Sequence, residues 1–343
     1  MAPELSIIIV NWNSADYLRR CLGSIFCNSG ALDFEVMVVD NGSYDGCAEM
    51  LAQWFPQVHF MQLPENVGFA AANNLAFAFS TGCNLLFLNP DTEVVGDGLR
   101  RMLDALAAEP GAGIAGPRLV GPDFSPQWNC MRCVPTILNQ LLDSSFSRRV
   151  FPGWWGFDVV ARESHFPVSA RVLPGTCLMV RRDVFAQAGL FNRAYFMYVE
   201  DVDLCCQAQK LGWNNYYLHD AVVIHHGAAS SRRQEYSVFS AVLMRESVKK
   251  FLSAKRGRFY AAIYCASTGL AALWRLLLGG ALWLTADRTQ RPLWRATTTK
   301  WLRVLRWSLG LEPWARTLGA TETRLKPDIA TPPAASPRQQ LSA

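Results

Sequence analysis

Three short clusters in this 343-residue chain have residue types and spacings suited to chemistry on a charged ligand. The first is Asn89-Pro90-Asp91, directly behind the apolar run Asn84–Leu88. A carboxylate just past a buried strand can hold Mg2+ or Mn2+ on a ligand diphosphate, because such cations take one or two carboxylates, phosphate oxygens and water. Pro-Asp also opens ordinary turns, so the tripeptide alone leaves a turn equally open. The second cluster is Tyr198-Val199-Glu200-Asp201-Val202-Asp203. Negative charge is favoured at a helix N-terminus, which makes capping the plain account. The sharper account is a general base that takes a proton from an incoming hydroxyl. Asp203, two residues past Asp201, is expected to point elsewhere and to support the helix start. The third cluster is His225-His226, behind a β-branched run. A neutral imidazole there is a good metal ligand. With Asp91 in place, His225 is the preferred partner of metal or phosphate, and His226 the lesser candidate.

Two further positions belong to the same chemistry. Asp40 ends the run Phe34–Val39, where a base or ribose can hydrogen-bond a carboxylate. In Asn66–Asn73, Gly68 permits close backbone approach and opens a helix toward the site. The stretch is not G-x-G-x-x-G, which disfavours a dehydrogenase-type dinucleotide fold. The chain also lacks G-x-x-x-x-G-K-[ST] and G-x-S-x-G, which sets aside P-loop enzymes and α/β-hydrolases.

The elements that must position these residues follow from hydrophobic period. Leu5–Val10, Phe34–Val39, Val58–Leu63 and Asn84–Leu88 read as buried strands. Ala15–Phe26, Cys47–Trp54 (capped by Asp45) and Gly68–Phe79 read as helices between them. Further on, Leu99–Ala108, Arg182–Ala188 and the stretch running to Leu211 read as helices. Gly113–Leu119, Val172–Val180, Asn214–Leu218 and Ala221–Ile224 read as strands. Strands alternating with helices predict an α/β fold, a doubly wound and mostly parallel sheet. In such sheets ligands collect at the carboxyl ends of strands, where Asn11–Asn13, Asp40–Ser43 and Asn89–Asp91 all lie. Gly121–Arg171 is irregular and is expected to be acceptor-side structure, with Trp128 a donor or acceptor contact.

Charge divides the chain. Up to Met244, 16 Lys and Arg face 23 Asp and Glu, a balance of −7; from Arg245 to Arg316, 14 face 3, a balance of +11. A basic segment that is also apolar and Trp-rich points to an anionic membrane surface rather than nucleic acid, for which no binding motif is present. Phe259–Trp274 and Leu276–Ala286 are apolar runs interrupted by Arg275 and by Gly279-Gly280, which favours a re-entrant or interfacial hairpin over a single span. In Trp294–Leu309 a helical wheel sets Trp294, Trp301, Leu302, Leu305 and Leu309 on one side. Arg295, Lys300, Arg303 and Arg306 fall on the other, as for a helix lying on a surface; packing on the catalytic domain is the alternative. The domain reading is therefore 1–235 catalytic, 236–320 helical, and 321–343 a disordered tail. No secretory n-region precedes Leu5 and the ten cysteines are irregularly spaced, so free thiols are expected. Cys130-x-x-Cys133 lacks the second pair a zinc site needs.

Seven ordered blocks over Leu5–Ser231 resemble the family 2 glycosyltransferases, and within them the bacterial rhamnosyltransferase-like branch. They are IIIVNWNS, VVDNGSYDG, LPENVGFAAANN, LFLNPDTEV, PGTCLMVRRDVF, GLFNRAYFMYVEDVDLC and VVIHHGAAS. The resemblance implies a GT-A fold and transfer from a nucleotide-sugar donor in a single inverting displacement with a divalent cation. It implies that Val10, Asn11, Asn13, Asp40, Asn41, Gly68, Asn73 and Asn89 surround the nucleotide. Gly175 and Thr176 would meet donor or acceptor, and Asp91 and His225 the metal. Asp201 matches the catalytic base, and Glu200 orients it or contacts the acceptor. Asn89 stands where a D-x-D motif has its first carboxylate. Phe191-Asn192-Arg193 departs from the acidic F-D-E segment common in the family.

The favoured donor is dTDP-rhamnose, with UDP-hexoses as alternatives. The favoured acceptor is a cell-surface polysaccharide or a polyprenyl-diphosphate-linked glycan, met by an enzyme on the cytoplasmic face of the inner membrane. A non-catalytic sugar-nucleotide-binding protein and a nucleotidyltransferase are the rivals; the latter needs a Gly-rich basic loop where this chain has NWNSADY.

Overall fold

The computed structural model describes residues 2–127, 133–142, 150–151, 164–227, 234–285 and 291–318. Trp128, Cys130 and the tail 321–343 lie outside them. Cys133 and the other described cysteines are free thiols.

The first half alternates β1 (Leu5–Asn11), α1 (Ala15–Asn28), β2 (Phe34–Asp40), α2 (Cys47–Trp54), β3 (His59–Gln62), α3 (Phe69–Phe79) and β4 (Asn84–Leu88). Every residue of β1 is buried, because helices cover both faces of the sheet. Each such aliphatic side chain contributes about 1.5–3 kcal/mol on burial. Then follow β5 (Thr92–Val95), α4 (Gly98–Ala108), β6 (Ala112–Val120), α5 (Ile137–Leu141), β7 (Val168–Ser169), β8 (Cys177–Arg181), α6 (Arg182–Gln187), α7 (Glu200–Lys210) and β9 (Asn214–His225).

The strand order is β3-β2-β1-β4-β8-β6-β9-β5, with β7 also paired to β9. β3, β2, β1 and β4 are parallel, as the sequence predicts. Beyond β4 the sheet is mixed: β8 runs antiparallel to both β4 and β6, and β5 antiparallel to β9, while β6 and β9 are parallel. Two of these pairings position the site. Leu88 pairs with Cys177, which sets Asn89 beside Thr176, and the Asn89 amide donates to the Thr176 carbonyl at 2.9 Å. Thr92 pairs with His225, which brings Asp91 to the end of β9.

Local expectations fail where a polar side chain finds a better partner. Asp45 does not cap α2, whose N-cap is Gly46 at φ 84°. Its carboxylate accepts from the Ala15 amide at 2.9 Å and so satisfies an orphan donor at the start of α1. The two short strands expected after Asn214 form one strand with a register shift between Leu218 and Val222.

The C-terminal region contains α8 (Gln234–Arg256), α9 (Arg258–Thr285), α10 (Arg291–Ser308) and α11 (Trp314–Thr317). The run Val238–Gly280 is long and apolar enough to cross a membrane by length and composition, with mean hydropathy 1.5. Gly257, at φ +86°, interrupts it and separates α8 from α9. α9 itself continues through Gly279-Gly280, which does not break it. Val242, Val248, Phe251, Leu252, Ala261, Tyr264 and Trp307 belong to the same buried cluster as the sheet, so no gap in the core separates the helices from the catalytic unit. α10 buries a different face from the one its periodicity predicts: Val304 and Trp307 are its most buried positions, and Trp301 and Leu305 pack beside Val304 against Ala241 and Ala272. Arg303 and Arg306 both bind the buried Glu312 carboxylate.

Candidate active site

A cavity of about 260 Å3 opens at the carboxyl ends of β1 and β4. Among its walls are Val10, Asn41, Asn89, Asp91, Gly175, Thr176, Glu200, Asp201 and His225. Nine residues singled out from the sequence thus converge, and Asp91 and Asp201 face one cleft. Pro90 and Tyr198, inside two of the clusters, and Trp12, Asn66 and Phe69, inside the stretches Asn11–Asn13 and Asn66–Asn73, line it too, as do Ser14 and Met197; the sequence assigns none of these a role.

Asp201 is 2 % exposed. Its Oδ2 accepts from the Gly175 amide at 2.9 Å and its Oδ1 from the Val202 amide at 2.8 Å, which fixes the carboxylate plane. The loop that delivers it is strained. Tyr198 and Val199 have φ of 71° and 75°, a left-handed pair costly for any side chain and most so for a β-branched one. Neighbours hold it in place: Ser247 Oγ donates to the Met197 carbonyl at 2.9 Å, and the Phe69 amide donates to the Phe196 carbonyl at 2.7 Å. Asp203 points away from the cavity, to Lys255 Nζ at 3.2 Å and the Asn192 amide group at 3.3 Å. Asn192, in the segment that departs from F-D-E, is therefore a donor to an acid.

His225 Nε2 lies 3.5 Å from Asp91 Oδ2. On its other side, His225 Nδ1 is 2.8 Å from Gln127 Oε1, while Gln127 Nε2 donates to the His225 carbonyl at 2.5 Å. The backbone contact orients the Gln127 amide so that its oxygen faces the ring, which favours the tautomer with the proton on Nδ1 and turns Nε2 to Asp91 as the nitrogen available to a metal. The irregular segment gave no sequence signal for Gln127. His226 is turned elsewhere, 2.6 Å from Glu93 Oε1.

Asp40 is buried and does not line the cavity. Burial pushes its carboxyl up, but hydrogen bonds from Ser43, Gln62, the Tyr44 amide and Asn11 outweigh it and hold the group below the ordinary carboxylate range. Asn11, fully buried, does not line the cavity either, and its Oδ1 has no hydrogen-bond partner. Asn13, exposed at φ 53°, and Asn73, whose amide donates to the Phe69 carbonyl at 2.9 Å, are not brought to the cavity wall. Nor is Gly68. A Cβ there would lie 2.3 Å from the Phe196 carbonyl oxygen, so the close approach it permits is to the protein's own backbone. Trp128 lies outside the described residues.

A sheet with this order and an acid-lined cleft at its strand ends define a GT-A-type glycosyltransferase. The profile of "Glycosyl transferase family 2" matches residues 6–189. Among curated proteins, the chain is 30 % identical over 259 residues to the N-acetylglucosaminyl-diphospho-decaprenol L-rhamnosyltransferase of Mycobacterium tuberculosis, covering 70 % of this chain and 82 % of that one. It is 27 % identical to the low-salt glycan biosynthesis hexosyltransferase Agl10 of Haloferax volcanii, covering 69 % and 72 %. The mannosyltransferase PcManGT of Pyrobaculum calidifontis, solved with GDP-Man and Mn2+, shares the fold with a TM-score of 0.51 at 16 % identity, covering 91 % and 87 %. The chain belongs to glycosyl transferase family 2, as a member similar to the bacterial rhamnosyltransferases, and is a glycosyltransferase.

Proposed function

We propose that this enzyme transfers rhamnose from dTDP-rhamnose, with inversion, to a polyprenyl-diphosphate-linked glycan at the cytoplasmic face of the inner membrane. One observation carries the chemistry: Asp91 and Asp201 line a single cavity. The rhamnose and lipid-linked assignments are supported by the mycobacterial relative's name. The membrane assignment is supported by Phe259, Ile263, Leu270, Trp274 and Leu277, all exposed, which follow one face of α9 at helical spacing.

A cation fits the donor set. The cavity wall carries three carboxylates, Asp91, Glu200 and Asp201, and no Lys or Arg among the described residues. A nucleoside diphosphate entering there needs positive charge. Asp91 Oδ2 and His225 Nε2, 3.5 Å apart, are near the spacing of two adjacent ligands on one Mg2+ or Mn2+, about 3 Å for octahedral geometry. When bound, a divalent cation would neutralise charge on the departing diphosphate. Val10 and Asn41 meet the nucleoside side, while Gly175 and Thr176 border the sugar. Asp201 accepts the proton of the acceptor hydroxyl as that oxygen attacks the anomeric carbon from the face opposite the diphosphate. Glu200 stands beside it to orient the acceptor.

A donor panel tests the reading. dTDP-rhamnose, UDP-glucose, UDP-galactose and UDP-N-acetylglucosamine are incubated with a lipid-linked acceptor, with Mg2+, Mn2+ or EDTA, and nucleoside diphosphate release is measured. Release from dTDP-rhamnose that EDTA abolishes is expected; release from a UDP-hexose alone would replace the donor.

A further inference from the structure

A second cavity, of about 550 Å3, lies among α5, α8, α9 and α10, and Tyr198 lines both it and the catalytic cavity. Its volume is within the roughly 300–1,000 Å3 of small-molecule sites. Its walls carry Arg245, Arg275 and Lys300, with no carboxylate among the described residues. The neighbouring acid, Glu246, is 3 % exposed and turned to Trp307 Nε1 at 2.7 Å and to Lys249. Arg245 and Arg275 lie over the same Trp301 ring, at 5.0 and 4.2 Å from its centroid, which holds both guanidinium groups beside Lys300. Burial and then the two arginines push the Lys300 ammonium down from its usual value.

α9 joins this site to the lipid-facing surface. Leu270, Trp274 and Leu277 are exposed on its outer face, while Ala271 and Arg275 line the cavity on its inner face. Arg275, awkward inside a bilayer, is thus directed into the protein.

We propose that this cavity binds the diphosphate of the lipid-linked acceptor, its two negative charges held by Arg245, Arg275 and Lys300. The acceptor sugar then passes Tyr198 to reach Asp201, and the polyprenyl chain leaves along the apolar face of α9. This rests on the lipid-linked acceptor reading above.

Farnesyl diphosphate, a short polyprenyl diphosphate, is the probe. The full chain is titrated with it by calorimetry in detergent, in Mg2+ and saturating dTDP so that the catalytic cavity is occupied. Binding is expected to weaken roughly tenfold or more in R275Q and in K300Q, since each loses a charge-assisted contact, and to persist in K300R. Farnesol and inorganic pyrophosphate are expected to bind much more weakly than farnesyl diphosphate. Equal affinity of the variants, equal loss in K300R and K300Q, or pyrophosphate binding as tightly as the lipid would each overturn the proposal. A separate dTDP titration of each variant in Mg2+, before dTDP is added to saturation, reports folding. If wild-type protein binds farnesyl diphosphate but no dTDP, the donor reading fails and this one stands.

Discussion

Gln127 grips His225 from two directions, its Oε1 on the ring Nδ1 at 2.8 Å and its Nε2 on the carbonyl at 2.5 Å. The far nitrogen of that ring faces Asp91. Gln127 is therefore a positioning residue that selects the His225 tautomer. Gln127→Leu is expected to weaken Mn2+ affinity roughly 10–100-fold, in line with losses of partners behind metal ligands. Gln127→Glu, which still accepts from Nδ1, is expected to retain more of it. Metal titration of activity distinguishes the two, and equal losses would count against tautomer selection.

Gly68 is required by geometry. It sits at φ 88° and ψ 167°, a region essentially closed to other residues, and an added Cβ meets the Phe196 carbonyl at 2.3 Å. Gly68→Ala is expected to cost about 1–3 kcal/mol or more, read as a lowered thermal midpoint. Because Phe196 leads into the strained Tyr198–Val199 pair, kcat should fall as well.

Asp40 predicts an acid limit. Its folded carboxyl is held below the unfolded value of about 3.9, so the stability it contributes is fully present above that pH. That stability is lost as pH falls through the lower, folded value. Asp40→Asn should lower the thermal midpoint at pH 7 and flatten its decline between pH 5 and pH 3. An unchanged slope would assign the acid sensitivity to other carboxylates.

The membrane face is tested better by substitution than by truncation. Removing the chain from Phe259 onward would strip Ala261, Tyr264 and Trp307 from the common core. Leu270→Glu with Leu277→Glu changes exposed positions only, at 69 % and 62 % exposure. Sedimentation with anionic vesicles is expected to fall roughly tenfold or more, with dTDP binding retained. Undiminished sedimentation would remove α9 from the interface.

Much of this was legible because hydrophobic period and strand-end polarity are local signals. α2 and β4 have the very bounds the sequence predicts; residue type and spacing mark the clusters that hold Asp91, Asp201 and His225, the family resemblance implies the roles of Asn89 and Asp201, and all four line one cavity. β5 has no counterpart in the sequence reading because four residues are too few to show a period, and only pairing with β9 makes them a strand. The left-handed Tyr198–Val199 pair was hidden by residues that favour strands, and it exists only because packing from α3 and α8 enforces it. Lys300 was set on the solvent side by a helical wheel, which knows nothing of the partners α8 and α9. Gln127 was invisible because its role depends on where a turn returns the chain.

The most direct measurement compares wild type and Asp201→Asn for dTDP release from dTDP-rhamnose in the presence of a lipid-linked acceptor, with donor affinity determined in parallel. The variant should keep its donor affinity while kcat drops by roughly 10²–10⁴-fold, the usual weight of a general base. A variant that turns over within a few-fold of wild type would show that the acid facing Asp91 across the cleft does not take the proton.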